Sequence, residues 1–455
     1  MISRRNFLGH SCKAGLSLAT ASSGLISLGL ARQAAAAGTL GDYRALVCVL
    51  LAGGNDAFNM LVPNDSDQYT EYQNIRSDLA LDQNSLLPLP GTTAQGRSYA
   101  MHPGMPEAVN LYSNGELALL ANVGTLLEPV DAAAVAAGAR VPLGLYSHAD
   151  QIQHWQTATP DQRTAEGWGG RIADLMQNVN VANGISMNVS LGGNNVFQSG
   201  QTAAEYSIDS ADDGAPGING YDADPFRQGM IDDLLTTTHG NLFKQEYRNR
   251  LRGAIDSQAV FVDALQRGDT FNQTFGANPF SGALRQVARV IGARDILGAC
   301  RQTFFVLVGG WDHHDEVLAN QANMLPWISQ GLQEFRNALV ELGVFNEVTT
   351  FTTSDFGRTL TSNGKGSDHG WGGHHMVMGG SVAGGNIYGT YPILSQSSPL
   401  DTGRGVYVPT TPVDLYFAEL AQWFGVADND LTYVVPNIGT FYSPGSASPP
   451  LGFMV

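Results

Sequence analysis

Four short runs, three apolar and one β-branched, each stopped by small or acidic residues, limit most strongly what this chain can fold into. Residues 45–51 are continuously apolar and are broken by Gly53-Gly54-Asn55-Asp56. Residues 117–123 repeat the pattern, 303–308 end at Gly309-Gly310, and 348–353 end at Ser354-Asp355. An unalternating run this short reads as a strand buried on both faces, as in a parallel sheet. Between the third and fourth runs, Leu325, Ile328, Leu332, Phe335, Leu339 and Leu342 fall at helical spacing, which predicts a helix over 323–342. A second amphipathic helix is predicted over 414–424. Strand, helix, strand in that order predicts an α/β fold: a mostly parallel sheet with helices on both faces. Residues 200–228 are rich in Gly, Asp and Ser, and 228–267 read as helical and more charged. The stretch 200–270 is therefore expected to be a loop and helical insertion within one domain spanning 38–455.

The N-terminus predicts where the chain works. Ser3-Arg4-Arg5-Asn6-Phe7-Leu8 precedes an apolar, small-residue stretch over 14–30, and Ala34 to Ala37 follow Arg32. This is the pattern of a cleaved twin-arginine export signal over 1–37. It implies a periplasmic or secreted protein whose transient partner is the twin-arginine translocase. That route moves folded proteins, so a metal can be loaded in the cytoplasm. No later stretch reaches the ~20 apolar residues a membrane helix needs. Removing the signal's four cations, Arg4, Arg5, Lys13 and Arg32, takes the formal charge from −17 to −21. Such a field repels nucleic acid and anionic lipid, so neither is an expected partner. It also repels a small anionic substrate unless a metal or arginine reverses the sign locally. Cys48, inside the first apolar run, reads as a buried free thiol, and two isolated cysteines build no thiolate metal site. Oligomeric state does not follow from the sequence.

Chemistry concentrates where histidines and aspartates meet the ends of predicted strands. The segment Gly310-Trp311-Asp312-His313-His314-Asp315 follows the third run. Ser354-Asp355-Phe356-Gly357-Arg358-Thr359 follows the fourth, and Asp368-His369-Gly370-Trp371-Gly372-Gly373-His374-His375 comes soon after. Ligands in α/β proteins bind at the carboxyl edge of the sheet. Asp56, Asp312 and Asp355 should share that edge, and three uncompensated acids there call for a cation. Imidazole with carboxylate suits zinc, manganese or iron ahead of magnesium or calcium. The candidate metal ligands are Asp56, Asp312, His313, His314, Asp355, His369, His374 and His375. Adjacent side chains on an extended segment point oppositely, so one histidine of each adjacent pair is expected to face the metal. In Tyr146-Ser147-His148-Ala149-Asp150, Ser147 is a candidate nucleophile beside His148, and equally a candidate helix N-cap. Arg358 is a candidate bidentate contact to an anion, or a partner for a nearby acid.

These motifs resemble a known family. Leu51-Ala52-Gly53-Gly54-Asn55-Asp56, Met101-His102-Pro103-Gly104-Met105, Ser147-His148, Gly310-Trp311-Asp312-His313-His314, Ser354-Asp355-Phe356-Gly357-Arg358-Thr359 and His369-Gly370-Trp371-Gly372-Gly373 resemble the bacterial family called domain of unknown function 1501. That family is in turn similar to the alkaline phosphatase and sulfatase superfamily. The resemblance implies an alkaline phosphatase-like sheet and one or two metals. By position it implies Asp56 as the first metal Asp, and Asp312 with His313 or His314 as the second group. Asp355 would be the Asp of an Asp-His pair, His374 or His375 the last histidine, and Ser147 the nucleophile. The chain departs from that pattern at Phe356, where the superfamily has a histidine. Either His369 supplies the missing ligand, or one of two metal positions is lost. Two functions follow: a metal-dependent hydrolase of phosphate or sulfate esters, or an exported binding or assembly protein that keeps the fold without the catalysis.

Overall fold

The computed structural model describes residues 42–455 except 92, 94, 181–183, 211–220, 222, 223 and 396. The expected export signal and part of the expected loop over 200–228 lie outside the described residues. The core is a nine-stranded sheet. Its strands are β1 (Arg44–Leu51), β2 (Leu117–Gly124), β3 (Asn188–Ser190), β4 (Tyr206–Ser207), β5 (Arg301–Val308), β6 (Val348–Ser354), β7 (Gly373–Met378), β8 (Ile387–Gly389) and β9 (Thr411–Pro412). They lie in the order β8-β2-β7-β6-β1-β5-β3-β4, with β9 also paired to β2.

All four expected strands are present, as β1, β2, β5 and β6. β1 pairs in parallel with β5 on one side and β6 on the other, and Leu51 lies level with both Val308 and Ser354. The three strands therefore end together, and the loops carrying Asp56, Asp312 and Asp355 leave one edge. β7 differs from expectation. It runs antiparallel between β2 and β6, and it carries His374 and His375, where the sequence predicts no strand. A Gly-His-His start disguises a strand whose residues are all buried.

Alternation along β1 divides the core in two. Ala45, Val47, Val49 and Leu51 join one cluster, and Leu46, Cys48 and Leu50 join the other. The first cluster is covered by helices Pro106–Ser113, Pro279–Gly292 and Val317–Glu341, which supply Leu111, Leu284, Val287, Leu325, Ile328 and Leu332. The second is covered by Trp168–Leu175 and Val413–Phe424, through Trp168, Ile172, Phe417 and Leu420. Each such side chain contributes about 1.5–3 kcal/mol when fully buried, so both faces are strongly held. The architecture is the α/β sheet with helices on both faces that the sequence predicts. Cys48 is buried and unpaired, and Cys300 is also free. The expected helical insertion forms two helices, Pro225–Thr236 and Leu242–Arg267.

Candidate metal centre

The carboxyl edge of β1, β5 and β6 is assembled by close backbone crossings. Gly53 has φ +122°, and a Cβ there would lie 2.4 Å from the backbone nitrogen of Asp312. Only glycine lets the loop after β1 pass so close to the loop after β5. Arg358, fully buried, ties the same loops together. It donates to the carbonyl oxygens of Gly53, Gly54 and Ser367 at 2.6–2.7 Å and also pairs with the Asp312 carboxylate. Burial works against the charge of Asp312, but this guanidinium holds its carboxyl below the usual range.

Three imidazoles surround Asp312. The helix His148–Thr157 begins at the site, with Ser147 as its N-cap accepting from the Asp150 N–H at 3.4 Å. His148 therefore projects from the first turn, and its Nε2 lies 3.5 Å from Asp312 Oδ2. His314 Nε2 lies 3.0 Å from Asp312 Oδ1, and His369 Nε2 lies 3.5 Å from it. The two Nε2 atoms of His314 and His369 are 2.9 Å apart. The ligand atoms of His148, Asp312 and His369 all fall within 4.8 Å of one another.

The far nitrogen of each ring fixes its chemistry. His148 Nδ1 is 2.6 Å from Asp355 Oδ2, His314 Nδ1 is 3.1 Å from Asp368 Oδ1, and His369 Nδ1 is 2.8 Å from the Tyr146 carbonyl. Carboxylates and carbonyls only accept, so each Nδ1 is the donor. In the neutral rings each Nε2 then presents a lone pair to the centre. Burial lowers the pKa of His369, which favours that neutral form. Two lone pairs facing each other at 2.9 Å repel unless a cation or a proton lies between them. Imidazoles held through Nδ1 by carboxylate or carbonyl partners, with Nε2 converging, are the arrangement of a metal-binding histidine set. The donors therefore fit a divalent cation of the zinc, manganese or iron type.

The outer groups are themselves anchored. Asp355 is buried and accepts from the Gly53 N–H at 2.9 Å through its other oxygen. Asp368 is disfavoured as a charge by burial, but Asn363, Arg404 and His314 together hold it well below the usual carboxylate range. Phe356 packs its ring 4.9 Å from His148 and 4.6 Å from His369, forming an apolar wall behind two of the imidazoles. The front is open: His148, Asp312, His314 and His369 are 34, 46, 44 and 24 % exposed. A depression of about 450 Å3 opens beside them, lined by Tyr146, His314, Asp368, His369, Thr402 and Arg404 among others. A larger cavity of about 650 Å3 lies elsewhere, between Phe271 and Arg285, away from this cluster.

The other residues singled out in the sequence stand apart from it. Asp56 is fully buried in an ion pair with Arg76 at 2.6 Å and accepts from Ser367 Oγ at 2.6 Å. The expected repulsion among three bare acids is thus absent, because Asp56 has Arg76 and Asp312 has Arg358. Asp355 orients His148, and it stands one step behind the converging atoms. His313 is buried beside Trp311. His374 and His375 point to opposite faces of β7. His374 stacks on Tyr391 at 4.5 Å and accepts from the Asn122 N–H, whereas His375 packs on Trp155 at 4.7 Å. Burial pushes the pKa of each down to about 3, so both are neutral core residues. Arg358 donates to three carbonyls and pairs with Asp312, a nearby acid. Sequence reasoning missed Asp368, the Tyr146 carbonyl and Arg404. Asp368 could have been found from its place next to His369; nothing in the sequence marks a backbone carbonyl.

Comparison with known proteins places the chain without assigning it a reaction. The family model described as "Protein of unknown function (DUF1501)" matches residues 43–434. No curated protein matches. Two solved structures of Ps i-CgsB are similar at a TM-score of 0.33, one of them in complex with k-i-k-neocarrahexaose. Identities are 10 and 12 %, and each alignment covers 88 % of this chain and 78 % of the other. A likeness this low carries no argument about function.

Proposed function

The chain belongs to the DUF1501 family of proteins of unknown function, and we propose that it is an exported metal-dependent hydrolase of phosphate or sulfate esters. The observation that supports this reading is the convergence of the His148, His314 and His369 Nε2 atoms on the Asp312 carboxylate. A divalent cation held there supplies Lewis acidity toward an anionic ester oxygen or a water.

The chain's own residues do the rest. Asp355, Asp368 and the Tyr146 carbonyl hold each imidazole in the tautomer that presents Nε2. Arg358 fixes Asp312 and offsets its charge. Phe356 keeps water from the back of two rings, while the open front admits substrate. The local charge also suits an anion. Asp312, Asp355 and Asp368 against Arg358 and Arg404 leave one net negative charge, which a divalent cation turns to one positive. Such a patch attracts anionic esters to a chain whose overall formal charge is −17.

Ser147 has a structural role. Its Oγ caps the helix that carries His148. A water at the open front is then the more economical nucleophile. That same capping role favours a second reading, a binding or assembly protein that keeps the metal and lacks catalysis. Metal analysis of protein purified without chelators, with turnover assays on aryl phosphates, phosphodiesters and aryl sulfates, separates them. The hydrolase reading expects stoichiometric metal and turnover that a chelator abolishes. Metal without turnover on any of the three ester classes favours the binding protein, and no metal removes both.

A further inference from the structure

The depression beside the histidines has a wall that the proposed reaction leaves unused. Arg404 stands on it in a Gly-Arg-Gly turn whose three φ angles are +121°, +61° and +71°. Arginine rarely adopts a left-handed conformation, so the turn must be held by its surroundings. Asp401 does this by accepting from the N–H groups of Gly403 and Gly405 at 2.8 and 3.0 Å. Thr361 adds bonds from its hydroxyl and N–H to the Arg404 carbonyl, at 2.8 and 3.3 Å. The result is a rigid turn that displays one guanidinium, 57 % exposed, in the depression.

That guanidinium is only partly used. Its Nη2 donates to Asp368 Oδ2 at 2.6 Å, and no other hydrogen bond of its side chain is seen among the described residues. Asp368 turns its other oxygen to His314 Nδ1. The carboxylate therefore stands between the arginine and the imidazole. An anion bridging Arg404 and the centre would lie against that carboxylate. The geometry points to two separate anionic groups on the substrate: the ester at the histidine centre, and a second group at Arg404.

We infer that Arg404 is a specificity-determining residue that selects esters bearing a second anionic group, such as a carboxylate or a further phosphate or sulfate. This rests on the hydrolase reading above. Thr402 and Thr359, which also line the depression, suit a polar substrate there. Arginine's planar fork matches carboxylate, phosphate and sulfate alike, so the second group is defined by charge and shape.

The test is calorimetric binding to the zinc-loaded mature protein, with phenylphosphonate compared against its 3- and 4-carboxylated forms. The wild type should bind at least one carboxylated probe about tenfold more tightly, the size of one charge-assisted contact. Arg404→Met should bring that ratio to about one. Arg404→Gly should do the same, because glycine accepts the turn's φ and guards against a folding artefact. Zinc content, measured on the same samples, reads the underlying reading separately. Full zinc with phenylphosphonate bound, but no carboxylate preference, overturns only the role of Arg404. A preference that survives both substitutions overturns it too. Zinc-free protein, or no binding of phenylphosphonate, overturns the hydrolase reading and this inference together.

Discussion

Substituting His148, His314 or His369 by Ala should each weaken metal binding severely, because each places its Nε2 within 3.5 Å of the Asp312 carboxylate. His374→Ala should leave metal content unchanged and destabilise the fold by about 2–4 kcal/mol, as a large-to-small change in a packed core does. Metal analysis and urea denaturation of the four variants check both statements. Asp355→Asn is a separate case. The amide would still fill the space, but it would no longer hold His148 Nδ1 with a charge, so metal affinity should fall about 10–100-fold without loss of the site. An equilibrium titration with zinc against a competing chelator measures it. At this scale the sequence was legible in part. His314, His369 and Asp312 stand out because histidine and aspartate crowd at strand ends. His374 and His375 look the same in sequence, yet they are core residues. Nothing in a His-His pair says whether the chain there is a loop or a buried strand; Tyr391, Trp155 and Asn122 decide that, and none of them adjoins the pair in sequence.

The elements place these side chains through their ends. His148 is the first residue of its helix, so its position depends on the cap before it. Ser147→Ala should cost about 1 kcal/mol of stability and leave stoichiometric metal in place, the pattern of a cap; thermal melts with metal analysis distinguish this from a catalytic loss. Gly53→Ala should do more damage. Its φ of +122° is strained for alanine, and its Cβ would press on the Asp312 backbone. Lower stability and weakened metal binding should occur together, because the β1 loop would push the β5 loop away from the histidines. β1, β2, β5 and β6 were legible because unalternating apolar or β-branched runs of strand length have few other uses. β7 was not, since its Gly, His and Met carry weak strand preference and its pairing with β2 and β6 is set by the partners.

Stability of the whole molecule should depend on pH in a direction set by buried groups. Burial pushes His374 and His375 down to about 3 and His102 down to about 4. It raises Asp414 to about 8. A histidine neutral in the fold but protonated in the unfolded chain removes stability as pH falls below about 6.5. Asp414 acts oppositely: protonated in the fold and ionised when unfolded, it removes stability as pH rises from about 4 to 8. Between about pH 6 and 5 these four groups leave the unfolded chain holding roughly two more protons than the fold, worth roughly 3 kcal/mol per pH unit. Chelator-treated protein should therefore lose stability as pH falls from about 7 to 5, and Asp414→Asn should flatten the alkaline side; urea midpoints across about pH 5–8 check this. X-ray absorption on the zinc-loaded protein asks whether three imidazoles and one carboxylate hold one divalent cation. The expected result is one zinc per chain with three imidazole nitrogens at about 2.0–2.1 Å. A zinc surrounded only by oxygen, or substoichiometric zinc with no imidazole scattering, would contradict that site.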